Sequence, residues 1–144
     1  MRGLARRRGI DAVAGVAERL PFLNDSFDFA LMVDVLCFVD DAETALKEAR
    51  RIIRPGGCLL LAMIDRESEL GKEYSSRKGD DEFYRDAKLF STSEAIELLR
   101  TSGFADLAFS QSLFTRPTGK PEEPKEGHGE GSFIVIRAQK KALR

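Results

Sequence analysis

A carboxylate directly follows each of two strongly apolar segments of this sequence. Asp34 comes after the segment Phe27–Val33, and Asp65 comes after the segment 58–64. A carboxylate at the end of a strand can orient a substrate or accept its proton, so Asp34 is our candidate catalytic residue. The alternative is that Asp34 is a solvated loop acid or a cap for the next helix.

Other residue types that often do chemistry are scarce. The sequence has one histidine, His128, and two cysteines, Cys37 and Cys58, which both lie within apolar segments. These are too few for a structural zinc site or a disulfide framework, so we expect no metal site. Cys37 is a poor candidate nucleophile, because the only potential bases beside it are carboxylates.

Composition and charge limit the classes of protein to which the chain can belong. Its 144 residues include 23 basic and 24 acidic ones, and 42% are hydrophobic, as is typical of one globular domain. The balanced charge argues against a nucleic-acid binder, and no apolar segment approaches the ~20 residues that span a membrane. The first residues lack the apolar core of a signal sequence. We therefore expect a cytoplasmic protein with one domain, over residues 1–139, and a basic tail, over 140–144.

The apolar pattern predicts the elements that position these carboxylates. Phe27–Val33 and 58–64 are continuous apolar segments, as expected of strands covered on both faces. Between them, residues 42–53 have one apolar and one charged face, and two aspartates before them offer an N-cap, which predicts a helix. The sequence Arg-Pro-Gly-Gly at 54–57 predicts a turn that ends this helix. Strand, helix, turn and strand form the crossover unit of α/β proteins.

The second half of the chain continues the alternation. An irregular polar segment (65–89) leads to a capped helix that stops at Gly103. Segments 105–114 and 132–138 are predicted strands, and the loop between them (115–131) is rich in proline and glycine. Because no helix separates these two strands, we expect them to pair antiparallel. The predicted fold class is α/β, with a mostly parallel sheet and an antiparallel C-terminal strand pair.

Three stretches occur in an order and at a spacing that are typical of one family. They are residues 15–22 (Gly-Val-Ala-Glu-Arg-Leu-Pro-Phe), residues 25–30 (Asp-Ser-Phe-Asp-Phe-Ala) and residues 45–57, which end in Arg-Pro-Gly-Gly. Together they resemble the class I S-adenosylmethionine-dependent methyltransferases of the small-molecule type. In that family they correspond to the loop after the third strand, the start of the fourth strand, and the helix and turn before the fifth. The resemblance implies a partial Rossmann-like methyltransferase fold.

Two features of that family have no counterpart in the sequence. One is the glycine-rich turn after the first strand, which approaches the methionine part of the cofactor. The other is the acidic residue that ends the second strand and binds the ribose hydroxyls. Residues 3–9 resemble the helix that follows this acid. We therefore expect an N-terminally truncated chain, from a misassigned reading frame or a fragment, that begins just downstream of the acid.

The resemblance implies which residues face the cofactor, S-adenosylmethionine. The loop after the third strand faces the adenine, and a valine stands where the family usually has an aspartate that accepts from the adenine amino group. The residues on either side of Asp34 lie beside the methionine part. The implied cofactor-binding residues are Val16, Ala17, Glu18, Leu20, Val33 and Val35. The alternatives are that Glu18 is an exposed turn acid and that Leu20 is a packing residue.

The resemblance also implies where the methyl acceptor binds. Asp65 and Arg66 follow the fifth strand, at the catalytic rim, and Tyr74 and Tyr84 lie in the polar segment that covers the substrate in this family. Together they suit an anionic or aromatic acceptor. The alternative is that these aromatic residues only anchor the segment to the sheet.

The missing strands affect the sheet itself. In the family's strand order, 3-2-1-4-5-7-6, segment 11–16 is the third strand, and losing two strands leaves it roughly 14 Å from Phe27–Val33. The apolar edge of Phe27–Val33 is then open to another chain. Either segment 11–16 shifts to pair there or a second molecule covers the edge, so we predict a homodimer or a local rearrangement.

Two functions remain open at this point. The first is a methyltransferase that acts on an unknown small molecule, with no nucleic-acid or membrane partner. The second is a dimeric binding or scaffold module of methyltransferase descent that uses no cofactor.

Overall fold

The computed structural model describes residues 2–77, 85–115 and 121–142. None of the helices in these ranges has the length and hydrophobicity that a membrane span requires. The elements, in chain order, are α1 (Arg2–Arg7), β1 (Phe27–Val33), a 3-10 helix (Leu36–Phe38), α2 (Ala42–Ile52), β2 (Ile53–Ile64), α3 (Glu69–Ser76), α4 (Thr92–Thr101), β3 (Ala105–Ser112), β4 (Lys125–Glu126) and β5 (Phe133–Gln139).

The five strands form one sheet in the order β1-β2-β5-β3-β4. β1 and β2 are parallel, and the other neighbouring strands are antiparallel. The predicted α/β class and the antiparallel C-terminal strand pair are confirmed. The sheet is less parallel than predicted. β2 and β3 run in the same direction, but β5 lies between them and is antiparallel to both. β1 and β2 therefore form the single parallel pair among the described strands.

α2 connects β1 to β2 and confirms the predicted crossover. Asp41 is its N-cap, and the Asp41 carboxylate accepts a hydrogen bond from the Thr44 backbone N–H at 3.1 Å. One face of α2 is buried at helical spacing, through Ala45, Leu46, Ala49 and Ile52. This face packs on the sheet residues Leu59, Leu61, Met63, Ile134, Ile136 and Ala138.

α4 contributes to the same core and also begins where its sequence predicts. Ser91 and Glu94 form a capping box, in which each side chain accepts from the other residue's backbone N–H. Ala95 and Leu99 are completely buried. The helix ends before Gly103, which has a φ of +87° that favours glycine.

α3 lies within the segment that was expected to be irregular. Ser68 is its N-cap, and the Ser68 hydroxyl accepts from the Gly71 backbone N–H at 3.0 Å. Gly71 lies so close to the carbonyl oxygen of Asp65 that a Cβ there would overlap it. With eight residues and few apolar positions, α3 has too little periodicity to be recognised from sequence.

The predicted turn at 54–57 is a bulge inside β2. Phe27 pairs with Ile53 and Phe29 pairs with Cys58, so residues 54–57 lie opposite Asp28 alone. Gly56 adopts a φ of +85°. The bulge can form because the chain end supplies its backbone hydrogen-bond partners.

Lys140 supplies these partners and closes the C-terminal end of α2. Its carbonyl accepts from Gly56 N–H at 2.8 Å. Its ammonium donates to the carbonyls of Arg50 at 3.0 Å and Ile53 at 2.7 Å, and pairs with Asp25 at 2.7 Å. The side chain is 11% exposed. A buried cation at a helix C-terminus is favourable, so this first residue of the predicted tail stabilises the junction between α2 and β2.

The strand expected at 11–16 does not form. Residues 10–15 have no regular structure, and Val16 makes only an isolated bridge with Arg19. A strand needs a hydrogen-bonding neighbour, and segment 11–16 lies beside none of the described strands. It does not shift onto the edge of β1 either, because β2 is the only described strand that pairs with β1.

Among the described strands, β1 is therefore at an edge, and one of its faces is exposed, contrary to the expectation that both are covered. Met32, on the α2 side, is 8% exposed, whereas Phe29 and Leu31 on the other face are 68% and 67% exposed. The described helices that join the core lie on the α2 side alone.

Lys140→Met should destabilise the protein. The substitution keeps the apolar stem but leaves the carbonyls of Arg50 and Ile53 without a donor, so we expect a loss of about 2 kcal/mol in the free energy of unfolding. Urea denaturation measures this loss. The matched control is Lys141→Met, because Lys141 is exposed and should change stability little. Equal effects of the two substitutions would contradict the anchoring role of Lys140.

Candidate functional site

An ion pair on α2 binds the backbone of the loop after Val16. Glu48 accepts from the Leu20 backbone N–H at 2.8 Å. Arg51 donates to Glu48, to the carbonyl of Leu20 at 3.0 Å and to the carbonyl of Phe22 at 2.8 Å. The hydrogen bond from Arg51 lowers the pKa of the Glu48 carboxyl. The pair thereby holds the loop against α2.

An apolar cavity of about 260 Å³ lies between this loop, β1 and α2. Three of the six predicted cofactor-binding residues, Ala17, Leu20 and Val35, line it. The structure therefore brings together residues that are far apart in sequence. The full lining is Ala17, Leu20, Phe22, Ala30, Leu31, Met32, Val35, Ala45, Ala49 and Ile52.

The other three predicted cofactor-binding residues do not line this cavity. The Val16 side chain is 59% exposed in the turn before the loop, and Val33 points to the face of β1 away from α2. The Glu18 carboxylate accepts from the backbone N–H groups of Asp40 at 2.8 Å and Asp41 at 3.3 Å. Hydrogen bonds from its own N–H and from that of Asp41 lower the pKa of Glu18. Glu18 thus fastens the loop to the start of α2.

Asp34 lies at the carboxyl end of β1, next to Val35. Its backbone has a φ of +50°, which is unusual for a residue other than glycine, and its N–H donates to the carbonyl of Ala62 at 3.0 Å. Within the described parts of the chain, its carboxylate has no hydrogen-bond or ion-pair partner. Partial burial of its carboxyl raises the pKa of Asp34, although the residue as a whole is exposed. An unpaired carboxylate of raised pKa can accept a proton from a neighbouring group.

A small cleft lies beside Asp34. Cys37 lines it, and burial, followed by the negative charge of Asp34, raises the pKa of this thiol. A raised pKa keeps Cys37 protonated and unreactive. The cleft is lined by Asp34, Leu36, Cys37, Met63, Ile64, Leu89 and Phe90.

Asp65 and Arg66, predicted to bind substrate, both have internal partners. Asp65 is buried, and its carboxylate accepts from the Thr92 hydroxyl at 2.6 Å and from the Glu67 N–H at 2.8 Å. Arg66 pairs with Glu94 at 2.9 Å. These contacts join the end of β2 to the starts of α3 and α4. The role in substrate binding stays a prediction for both residues.

The structure describes one of the two tyrosines that were predicted to bind substrate. Tyr74 lies in α3, and Tyr84 lies outside the residues that the structure describes.

The sequence did not indicate a second cavity, of about 60 Å³, at the same edge of the sheet. It lies between α3 and the residues that follow β3, and three carboxylates, from Glu69, Glu73 and Glu130, line it. The signal in the sequence was only the spacing of Glu69 and Glu73 by four residues, which places both on one face of a helix. The remaining lining residues are Leu70, Leu113, Phe114, Thr115 and Ser132.

S-adenosylmethionine fits the apolar cavity in part. The side chains of Ala17, Leu20 and Val35 suit the faces of an adenine ring. The lining has no polar side chain for the ribose hydroxyls or the methionine carboxylate. The nearby carboxylate of Glu18 already accepts hydrogen bonds from the backbone N–H groups of Asp40 and Asp41. The described residues also form no cluster of three or more metal-ligating side chains.

Comparisons with known proteins support the resemblance to methyltransferases. A family model for a methyltransferase domain matches residues 1–61. A solved SAM-dependent methyltransferase from Thermotoga maritima, a possible histamine N-methyltransferase, is 50% identical to this chain with a TM-score of 0.94. The match covers 98% of this chain and 69% of the Thermotoga chain.

Two curated relatives extend over nearly the whole chain. The uncharacterized protein MJ1123 of Methanocaldococcus jannaschii is 38% identical over 141 residues, which are 97% of this chain and 69% of the relative. The uncharacterized protein Rv2003c of Mycobacterium tuberculosis is 34% identical over 140 residues, which are 93% of this chain and 49% of the relative. The chain thus spans about two thirds of the Methanocaldococcus relative and about half of the Mycobacterium relative. It belongs to the class I S-adenosylmethionine-dependent methyltransferases.

Proposed function

We propose that this chain carries the acceptor side of a methyltransferase that uses S-adenosylmethionine to methylate a small molecule. The supporting observation is that the apolar cavity and the unpaired carboxylate adjoin each other at the carboxyl end of β1. Val35 lines the cavity, and its neighbour Asp34 lines the adjacent cleft. Ligands of open α/β sheets bind at the carboxyl ends of the strands, which is where these two features meet.

The residues of the chain have separate tasks in this proposal. Ala17 and Leu20 would contact the adenine of the bound cofactor, and Val35 bounds the cavity toward Asp34. When bound, the cofactor supplies an electrophilic methyl group on a sulfonium. Asp34 accepts the proton that the acceptor oxygen or nitrogen loses, and its raised pKa makes it a stronger base than an aspartate of ordinary pKa.

One relative suggests an acceptor class to test first. The Thermotoga relative is a possible histamine N-methyltransferase. Amines such as histamine are therefore the first acceptors to assay. The cavity between α3 and β3 adds no argument for a cationic acceptor, because Glu73 is paired with Arg77 and Glu130 with Lys125.

The second candidate function is a binding or scaffold module that uses no cofactor. It is favoured by the lack of polar side chains in the lining of the apolar cavity. Binding of S-adenosylhomocysteine, the demethylated product, distinguishes the two functions.

We expect S-adenosylhomocysteine to bind the folded chain, and Ala17→Leu to weaken this binding by about tenfold or more. The larger side chain fills part of the space for the adenine. Isothermal titration calorimetry measures both affinities, after circular dichroism has shown that each protein is folded.

Ala14→Leu is the matched control for this titration, because Ala14 is exposed and lies outside the cavity. It should bind as the unsubstituted chain does. Absence of heat at several temperatures, from a folded sample, would favour the scaffold module over the methyltransferase.

Asp34→Asn should increase stability at pH 7 while it abolishes catalysis. Because burial raises the pKa of Asp34, ionisation costs more in the folded chain, and stability falls as pH rises through the unfolded and then the folded pKa. Asparagine removes the charge and tolerates the positive φ. Urea denaturation should show a more stable variant at pH 7. It should show no difference below about pH 3, where the Asp34 carboxyl is protonated in both the folded and the unfolded chain.

The control for this variant is Asp40→Asn, the same chemical change at an exposed aspartate in the next loop. It should change neither stability nor methyl transfer. If Asp34→Asn retained methyl transfer, Asp34 would not be the base. If it were less stable than the unsubstituted chain at pH 7, the pKa of Asp34 would not be raised.

A further inference from the structure

The cleft beside Asp34 is narrow, and two residues before α4 form part of its wall. Leu89 and Phe90 line the cleft together with Asp34 and Cys37. The cleft encloses about 10 Å³, which is room for roughly one water-sized group. An acceptor that gives a proton to Asp34 can therefore bring little more than one atom into the cleft unless this wall moves.

Backbone hydrogen bonds hold both ends of residues 88–90, which we call the cleft strap. The Lys88 N–H donates to the carbonyl of Cys37, in the 3-10 helix, at 2.8 Å. The Phe90 carbonyl accepts from the N–H of Arg66, which follows β2, at 2.9 Å. Phe90 also packs against the hydrophobic core. The cleft strap thus extends from the 3-10 helix to the end of β2.

Between these ends, the side chain of Arg66 holds the middle of the cleft strap. Its Nη1 donates to the Leu89 carbonyl at 3.2 Å and lies 2.9 Å from the Glu94 carboxylate. Glu94 accepts from the Ser91 N–H at 2.7 Å as part of the α4 capping box, so the other side of the guanidinium is fixed to a helix. Arg66 is not among the residues that line the cleft.

We propose that Arg66 is a positioning residue that sets the width of the cleft at Asp34 by holding Leu89 in place. The guanidinium connects the Leu89 carbonyl to Glu94, which belongs to α4. Without the guanidinium, the Leu89 peptide loses this partner, and the Leu89 side chain can turn away from Asp34. The width of the acceptor that reaches Asp34 thus depends on Arg66.

This role differs from the expected one, in which Arg66 binds the acceptor itself. A guanidinium that is already bonded to a carboxylate and a carbonyl has fewer donors left for an acceptor. The consequence for acceptor width rests on the proposed role of Asp34 as the base. The positioning of Leu89 does not, so it is tested without cofactor or acceptor.

Alkylation of Cys37 by iodoacetamide reports how open the cleft is. Cys37 lines the cleft, whereas Cys58 is buried in β2 and is a reference for unfolding of the whole chain. Peptide mass spectrometry follows both thiols in one sample. We expect Arg66→Met to accelerate alkylation of Cys37 about fivefold or more relative to Cys58, because an opened wall exposes the thiol and favours its reactive thiolate.

The loss of the Arg66 charge cannot explain such an acceleration. Removing a nearby cation disfavours the thiolate, so the charge effect alone would slow alkylation of Cys37. Arg85→Met is the matched control, because Arg85 is exposed and precedes the cleft strap. It should react as the unsubstituted chain does. Arg66→Lys should restore slow alkylation, since lysine can still donate to the Leu89 carbonyl.

Glu94→Gln is a milder variant of the same test. Its amide oxygen still accepts from the Ser91 N–H, but the attraction between charges that fixes Arg66 is lost, so Cys37 should react faster by a smaller factor. Circular dichroism checks that each variant is folded. An unchanged Cys37 rate in folded Arg66→Met and Glu94→Gln, or equal acceleration at Cys37 and Cys58, would overturn the proposal. Neither result would bear on cofactor binding, which the calorimetric titration measures separately.

Discussion

The candidate site depends on the ion pair between Glu48 and Arg51. Its hydrogen bonds to the backbone replace those that a neighbouring strand would make. The loop after Val16 runs beside the sheet without joining it, so its peptide groups need other partners. Glu48 and Arg51 of α2 bind the N–H and carbonyl of Leu20 and the carbonyl of Phe22. Isolated surface ion pairs add little to stability, but this pair also satisfies backbone groups. Together with the hydrogen bonds that Glu18 accepts from Asp40 and Asp41, it holds the outer wall of the apolar cavity.

Two strand-end carboxylates that look equivalent in sequence have different surroundings. Asp65 is buried, and both its oxygens accept hydrogen bonds, from Thr92 and Glu67, so it joins three elements together. Asp34 has a positive φ and a pKa raised by burial, and its carboxylate has no partner among the described residues. Both properties of Asp34 cost stability, and such costs concentrate where function maintains them. The contrast favours Asp34 over Asp65 as the reactive group.

The sequence predicted the elements whose signals are local. Asp41 and Ser91 cap α2 and α4 as expected, because a cap and its helix are neighbours in the chain. The errors concern distant partners. Segment 11–16 has the composition of a strand but no strand beside it, and nothing near Asp65 in sequence indicates that Thr92 would occupy its carboxylate. The convergence of Ala17, Leu20 and Val35 was implied by family resemblance and not by periodicity.

The open edge of β1 and the apolar cavity are physically connected, because Ala30 and Leu31 belong to both. Any strand that pairs with β1 therefore adjoins the lining of the cavity. If such pairing changes the affinity of the cavity for a ligand, the ligand must change the strength of the pairing by the same factor, since binding free energies are reciprocally linked.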